Sequence, residues 1–193
     1  MNKLILVVLI VLVLIGGFFL LVKDKPAQVQ ITNMPQDQEM NYELKIESPA
    51  FVHMGIIPSR YACDGEKMSP PLAISGVSPE ARSLVLIMED PDVPKSVRSD
   101  GMWDHWIRFN LPSDLTEIKE NTDPGGVAGM TTSKHTGYVP PCPPDREHRY
   151  FFKLYSLDFL LNLSQGATKS AVLAAMQGHI LQQTELIGLY EKK

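Results

Sequence analysis

The hydrophobic pattern divides the chain into two unlike parts. Leu4 to Val22 (LILVVLIVLVLIGGFFLLV) is nineteen positions without a charge. As a helix rising about 1.5 Å per residue it would cross a hydrocarbon core of about 30 Å. Lys23 to Met40 is polar, Gln-rich and interrupted by two prolines, the composition of a semi-extended tether. From Tyr42 onward the pattern is that of short strands. Ser83 to Met88 (SLVLIM) is a near-continuous apolar run, suited to a strand buried on both faces. Trp103 to Leu111 (WDHWIRFNL) alternates, which places Trp103, His105, Ile107, Phe109 and Leu111 on one face. Arg149 to Leu157 (RYFFKLYSL) is a third strand, and His148, Tyr150, Phe152 and Leu154 share one side of it.

Lys169 to Thr184 sets Val172, Met176 and Ile180 at helical spacing with Leu173 beside them, predicting a helix over that span. Glu185 to Tyr190 reads as a closing strand. Between these elements lie SPP, DPDVP, DPGG and PPCPP, all turn chemistry. The expectation is a mostly β domain over residues 42–193 with a helix near its C-terminus. It follows a membrane segment over 1–22 and a polar linker over 23–41.

Apolarity continues past Gly16-Gly17 into Phe18-Phe19-Leu20-Leu21-Val22, with no small-x-small site. The segment therefore reads as an uncleaved anchor, with a cleaved signal peptide as the alternative. Lys3 precedes it and Lys23 and Lys25 follow, so the positive-inside count is nearly tied. A short head before a long remainder favours translocation of the domain. The expected location is the cytoplasmic membrane, single-pass, with the domain on the extracytoplasmic side, or secretion if the segment is removed.

A formal net charge of −4 over 193 residues, without runs of like charge, argues against a nucleic-acid partner. Two cysteines and five histidines leave no room for a Cys-rich zinc framework or a dense disulfide scaffold. Three clusters carry candidate chemistry. Met88 to Pro94 (MEDPDVP) would deliver Asp90 on a stiff loop at the end of the buried strand, although Asp-Pro is also an ordinary turn initiator. Trp103-Asp104-His105-Trp106 puts a histidine on an apolar face, where imidazoles are more often packed than functional. Pro140 to Phe152 joins a proline-rich loop to a strand carrying His148 and Tyr150. Two inward imidazoles beside a carboxylate suit a small phosphate. Asp90, Asp92, His105 and His148 could instead hold a divalent metal, but no H-E-x-x-H or paired-Cys spacing supports it, so neither metal nor cofactor is expected. His179 is placed on the helix near Met176 as a packing residue, and His53 and His135 in exposed loops. Gly125, Gly126 and Gly129 form a loop without a phosphate-loop signature.

Together DPDVP, W-x-H-W and PPCPP…HRYFFKLYSLD resemble the phosphatidylethanolamine-binding proteins, more closely the bacterial and archaeal Raf-kinase-inhibitor-like branch. YACDGEKMSPPL (Tyr61 to Leu72) and the ending GHIL…ELIGLY are similar to the same branch. The resemblance covers roughly residues 43 to 190. It implies a β-sandwich with a small anion pocket for phosphate or phospholipid head groups. The site residues it implies are Asp90, Asp92, Pro94, Trp103, His105, Pro143, Pro144, His148 and Tyr150, with a cis peptide bond before Pro94. Arg146 replaces a glycine of the family pattern, Pro140 stands where a glycine is often found, and Lys67 stands where asparagine is common. The eukaryotic members' extra C-terminal helix has no counterpart, so kinase inhibition is not carried over. Cys63 and Cys142 lie in family-like loops, and a disulfide between them is permitted outside the membrane; a catalytic Cys142 beside His148 is a poor fit among prolines. The expected function is a membrane-tethered binding module without turnover that acts through a protein partner. A phosphoester hydrolase or lyase using His105 and His148, and a protease inhibitor acting through a surface loop, are the rivals.

Overall fold

In the computed structural model, which describes residues 42–193, the elements follow as β1 (Lys45–Glu47), β2 (Gly55–Ile56), a 3-10 turn (Ser59–Tyr61), β3 (Leu72–Ser75), β4 (Ser83–Asp90), β5 (Trp103–Leu111), β6 (Glu117–Ile118), β7 (Val127–Ala128), β8 (His148–Leu157), α1 (Lys169–Met176) and β9 (Ile180–Tyr190). The expected membrane segment and linker lie outside these residues. Among the described residues no helix is long and apolar enough to cross a membrane.

A six-stranded sheet in the order β2-β9-β8-β4-β5-β7 faces a three-stranded sheet, β1-β3-β6. The continuous apolar run of β4 has its reason here, because the strand is buried along its whole length. Leu84, Leu86 and Met88 pack toward the small sheet with Ile46, Leu72, Ile74 and Ile118. Val85 and Ile87 pack on the opposite face with Val172 and Met176 of α1. Burying a large apolar side chain contributes roughly 1.5–3 kcal/mol, so the two-sided central strands carry much of the stability. Gly188 of β9 is required by close packing, since a Cβ there would stand 2.5 Å from Ile57 and 2.8 Å from Phe51.

Four expectations are corrected. The helix ends at Met176 rather than Thr184. Thr168 caps its start by accepting from the Ala171 N–H, and Gly178, in the left-handed region at φ 80°, follows its end. Ile180 matches the helical spacing by coincidence: it begins β9, which pairs antiparallel with β8 from His148↔Tyr190 to Leu157↔Ile180. His179 is consequently off the helix, with Nδ1 2.9 Å from Asp158 Oδ1. The residues of β5 do not share one face, because the β4–β5 register slips twice. Ile107 and Phe109 pack on the helix side, Trp106 and Leu111 on the small-sheet side. Finally, all described peptide bonds are trans, including the one before Pro94. The chain turns after this proline instead, as the Val97 and Arg98 N–H groups donate to its carbonyl at 2.8 and 3.0 Å.

Candidate functional site

The second register slip of β5 builds the site. Met88 pairs with Trp106 and Glu89 with Asp104, so His105 is an extra residue opposite none, a β-bulge that re-aims its side chain. Its ring meets that of Tyr150 edge-on at 5.3 Å between centroids. His105 Nδ1 lies 2.8 Å from the Val139 carbonyl oxygen. A carbonyl only accepts, so this nitrogen carries the proton and Nε2 is left as an acceptor. Burial pushes the pKa of this imidazole down, which holds it in that neutral form.

Asp90, at the end of β4, is 3% exposed and closely held. Its Oδ1 accepts from the Asp92 N–H and its Oδ2 lies 2.8 Å from His148 Nδ1. His148 Nε2 is in turn 2.8 Å from Asp145 Oδ1. Both ring nitrogens thus meet carboxylates, which fixes the ring from both sides. Asp92 turns away to Arg149, whose backbone N–H and Nε donate to Oδ2 and whose Nη2 donates to Oδ1. These bonds draw the Asp92 pKa down to about 2.

A pocket of about 240 Å³ opens where these elements meet. Asp90, Trp103, His105 and Pro144 line it. The other residues singled out from sequence stand elsewhere. His148 and Tyr150 are fully buried behind the wall, Asp92 is on Arg149, Pro143 is buried, and Pro94 heads the turn that carries Val97 to the rim. Val93, Val97, Ser133, Val139, Pro140 and Cys142 complete the lining. Val93 and Pro140 lay inside motifs already noticed. Ser133 carried no sequence signal; its loop is docked by the Asp104 N–H donating to Thr132 Oγ1 and the Thr132 N–H to the Asp104 carbonyl. Cys142 is bonded to Cys63, and the Cys63 N–H donates to the Pro141 carbonyl, which pins the proline loop. Burial, followed by the Asp90 charge, raises the Tyr150 pKa well above its ordinary range.

Two departures from the family pattern have structural outcomes. Lys67 holds a left-handed backbone at φ 62°, a conformation that asparagine tolerates better. Arg146 is exposed, and the glycine it replaces was not needed for a positive φ here.

Two facing sheets with a small, partly apolar pocket at the strand ends define a β-sandwich binding domain. The sequence model of the phosphatidylethanolamine-binding protein family matches residues 47–191, and the chain belongs to that family. It is 49% identical over 149 residues to a UPF0098 protein of Chlamydia trachomatis, covering 77% of this chain and 99% of that one. A UPF0098 protein of Methanothermobacter thermautotrophicus is 48% identical over 155 residues, covering 77% of this chain and 99% of that one. The crystal structure of a phosphatidylethanolamine-binding protein homologue from Chlamydia trachomatis superposes with a TM-score of 0.77 at 48% identity, covering 79% of this chain and 99% of that one. The YbcL structure from E. coli shares the fold at a TM-score of 0.70 and 24% identity, covering 78% and 99%.

Proposed function

We propose that the domain is a binding module whose pocket takes a small phosphate-bearing head group in its singly protonated form, without turning it over. The observation that carries this reading is the pairing of Asp90 with a neutral His105 in one small pocket. Both present acceptors, and no lysine or arginine is among the lining residues. A doubly charged phosphate would meet the Asp90 carboxylate with no cation among the lining residues. A monoanion can donate its P–OH to His105 Nε2, and an ethanolamine ammonium can donate to Asp90. The apolar walls of Val93, Val97 and Trp103 suit the carbon portion of a head group. Hydrolysis by two imidazoles is disfavoured, because His148 is fully buried behind Asp90.

The Cys63–Cys142 bond supports an oxidising, extracytoplasmic setting, and the apolar run Leu4–Val22 supplies a tether in this reading. The domain would then present its pocket near the membrane surface, to lipid head groups and to a protein partner. A phosphorus NMR titration of the full chain in detergent with phosphoethanolamine, beside His105→Ala, tests the binding claim. Shift or broadening of the ligand resonance with wild type only supports it. Growth of inorganic phosphate with wild type only would replace it with an enzyme, and silence with both would remove the proposed ligand class.

A further inference from the structure

A second pocket, of about 280 Å³, lies between β5 and the loops after the 3-10 turn and β6, and shares no lining residue with the first. Trp106 and Arg108 of β5 are among its lining residues, two positions apart along the strand. Both are buried, at 1% and 7% exposure. The Trp106 Nε1–H and the Arg108 Nε–H have no hydrogen-bond partner among the described residues. The rest of the Arg108 guanidinium is committed, with Nη2 donating to Asp123 Oδ2 at 2.8 Å and Nη1 to the Gly125 carbonyl at 3.4 Å.

Indole and guanidinium groups donate and never accept. Leaving a buried donor unpaired is costly, so two in residues that line one polar pocket call for an acceptor. Lys67 adds a third donor and a positive charge at the same pocket. Lys67 and Asn121, both lining residues, hold left-handed backbone at φ 62° and 53°, conformations that fold the two loops over β5. The Tyr138 hydroxyl does not compete for the site, since it donates to the Tyr61 carbonyl at 2.8 Å. With Arg108 and Lys67 against Asp123, the pocket is net cationic, the reverse of the first pocket.

We propose that this Trp106–Arg108–Lys67 pocket binds a small oxyanion, a phosphate or a carboxylate, through the free indole and guanidinium N–H groups and the Lys67 ammonium. The site stands independently of the head-group pocket. The chain's two tryptophans separate the two, because Trp103 lines the first and Trp106 the second.

The test is a proton–nitrogen NMR spectrum of the full chain in detergent, in chloride-free buffer, with the two indole resonances assigned by Trp103→Phe. Inorganic phosphate and succinate are added separately, each up to about 10 mM. The expected result is a saturable shift of the Trp106 indole resonance with at least one of them, the stronger probe telling phosphate from carboxylate. Lys67→Asn, an exposed substitution that suits the left-handed backbone, should weaken that binding roughly 3- to 10-fold. A Trp106 resonance that stays in place with both probes would overturn the proposal and leave water as the acceptor. So would equal binding by Lys67→Asn, or a shift confined to Trp103.

Discussion

His148 is sealed behind Asp90: the ring is fully buried, and its Nδ1 lies 2.8 Å from Asp90 Oδ2 while its Nε2 lies 2.8 Å from Asp145 Oδ1. The histidine thus acts on the pocket through the carboxylate it positions. His148→Phe fills the same space but leaves Asp90 Oδ2 buried without its partner. Leaving a buried carboxylate oxygen without its hydrogen-bond partner costs about 1.5–3 kcal/mol. Chemical denaturation should show that loss, and an unchanged midpoint would show that the pair does not hold the fold.

The pH dependence of the proposed head-group binding follows from the form of His105. Burial pushes its pKa down, so it stays an acceptor through the neutral range. The ligand supplies the titration instead, because a phosphomonoester gains its proton near pH 6. Affinity for phosphoethanolamine should therefore rise as pH falls from 8 toward 5.5. Calorimetric titration at several pH values measures this, and affinity that rises with pH would contradict the proposed hydrogen bonding.

Asp92 gives a stability effect in a lower window. Arg149 draws its pKa from the ordinary 3.8 down to about 2. A depressed carboxylate pKa contributes stability that is fully present above 3.8 and is lost as pH falls through about 2. Arg149 is about half exposed, so solvent screening limits the contribution to about 1 kcal/mol. Asp92→Asn should lower stability by that amount at pH 7, and the two proteins should become equal only well below pH 2. A gap that persists undiminished well below pH 2 would place the cause in packing rather than charge.

Much of the central sheet was legible because its signals are local. The β4 run and the inward His148-Tyr150-Phe152 stripe of β8 follow directly from which residues are apolar. The end of α1 was obscured because Ile180 matches helical spacing, and only its pairing with Leu157 shows it to be strand. The β5 faces were misassigned because bulges leave no mark in an alternating pattern. His105 does face inward, but as the bulged residue and not through alternation with Ile107. The resemblance brought Asp90, Trp103, His105 and Pro144 forward together. No pattern announced the Trp106 and Arg108 donors, since an unpaired N–H is a property of three-dimensional surroundings.

The disulfide joins the pocket to the stability of the whole domain. Cys63 and Cys142 are 79 residues apart in sequence, so the bond closes a long loop in the unfolded chain. Loop-closure entropy for such a span gives a stabilisation of about 4–5 kcal/mol, of which disulfides typically deliver about 2–4 kcal/mol. Cys142 also lines the Asp90–His105 pocket with Pro140 and Pro144, and reduction frees that wall. Two losses are expected together under reducing conditions: a lower denaturation midpoint and weaker phosphoethanolamine binding. The Cys63→Ala, Cys142→Ala double variant should reproduce both without reductant and become insensitive to it. If the variant loses stability but binds at full strength, the loop is held by its prolines and the Cys63–Pro141 hydrogen bond. The disulfide would then serve the fold alone.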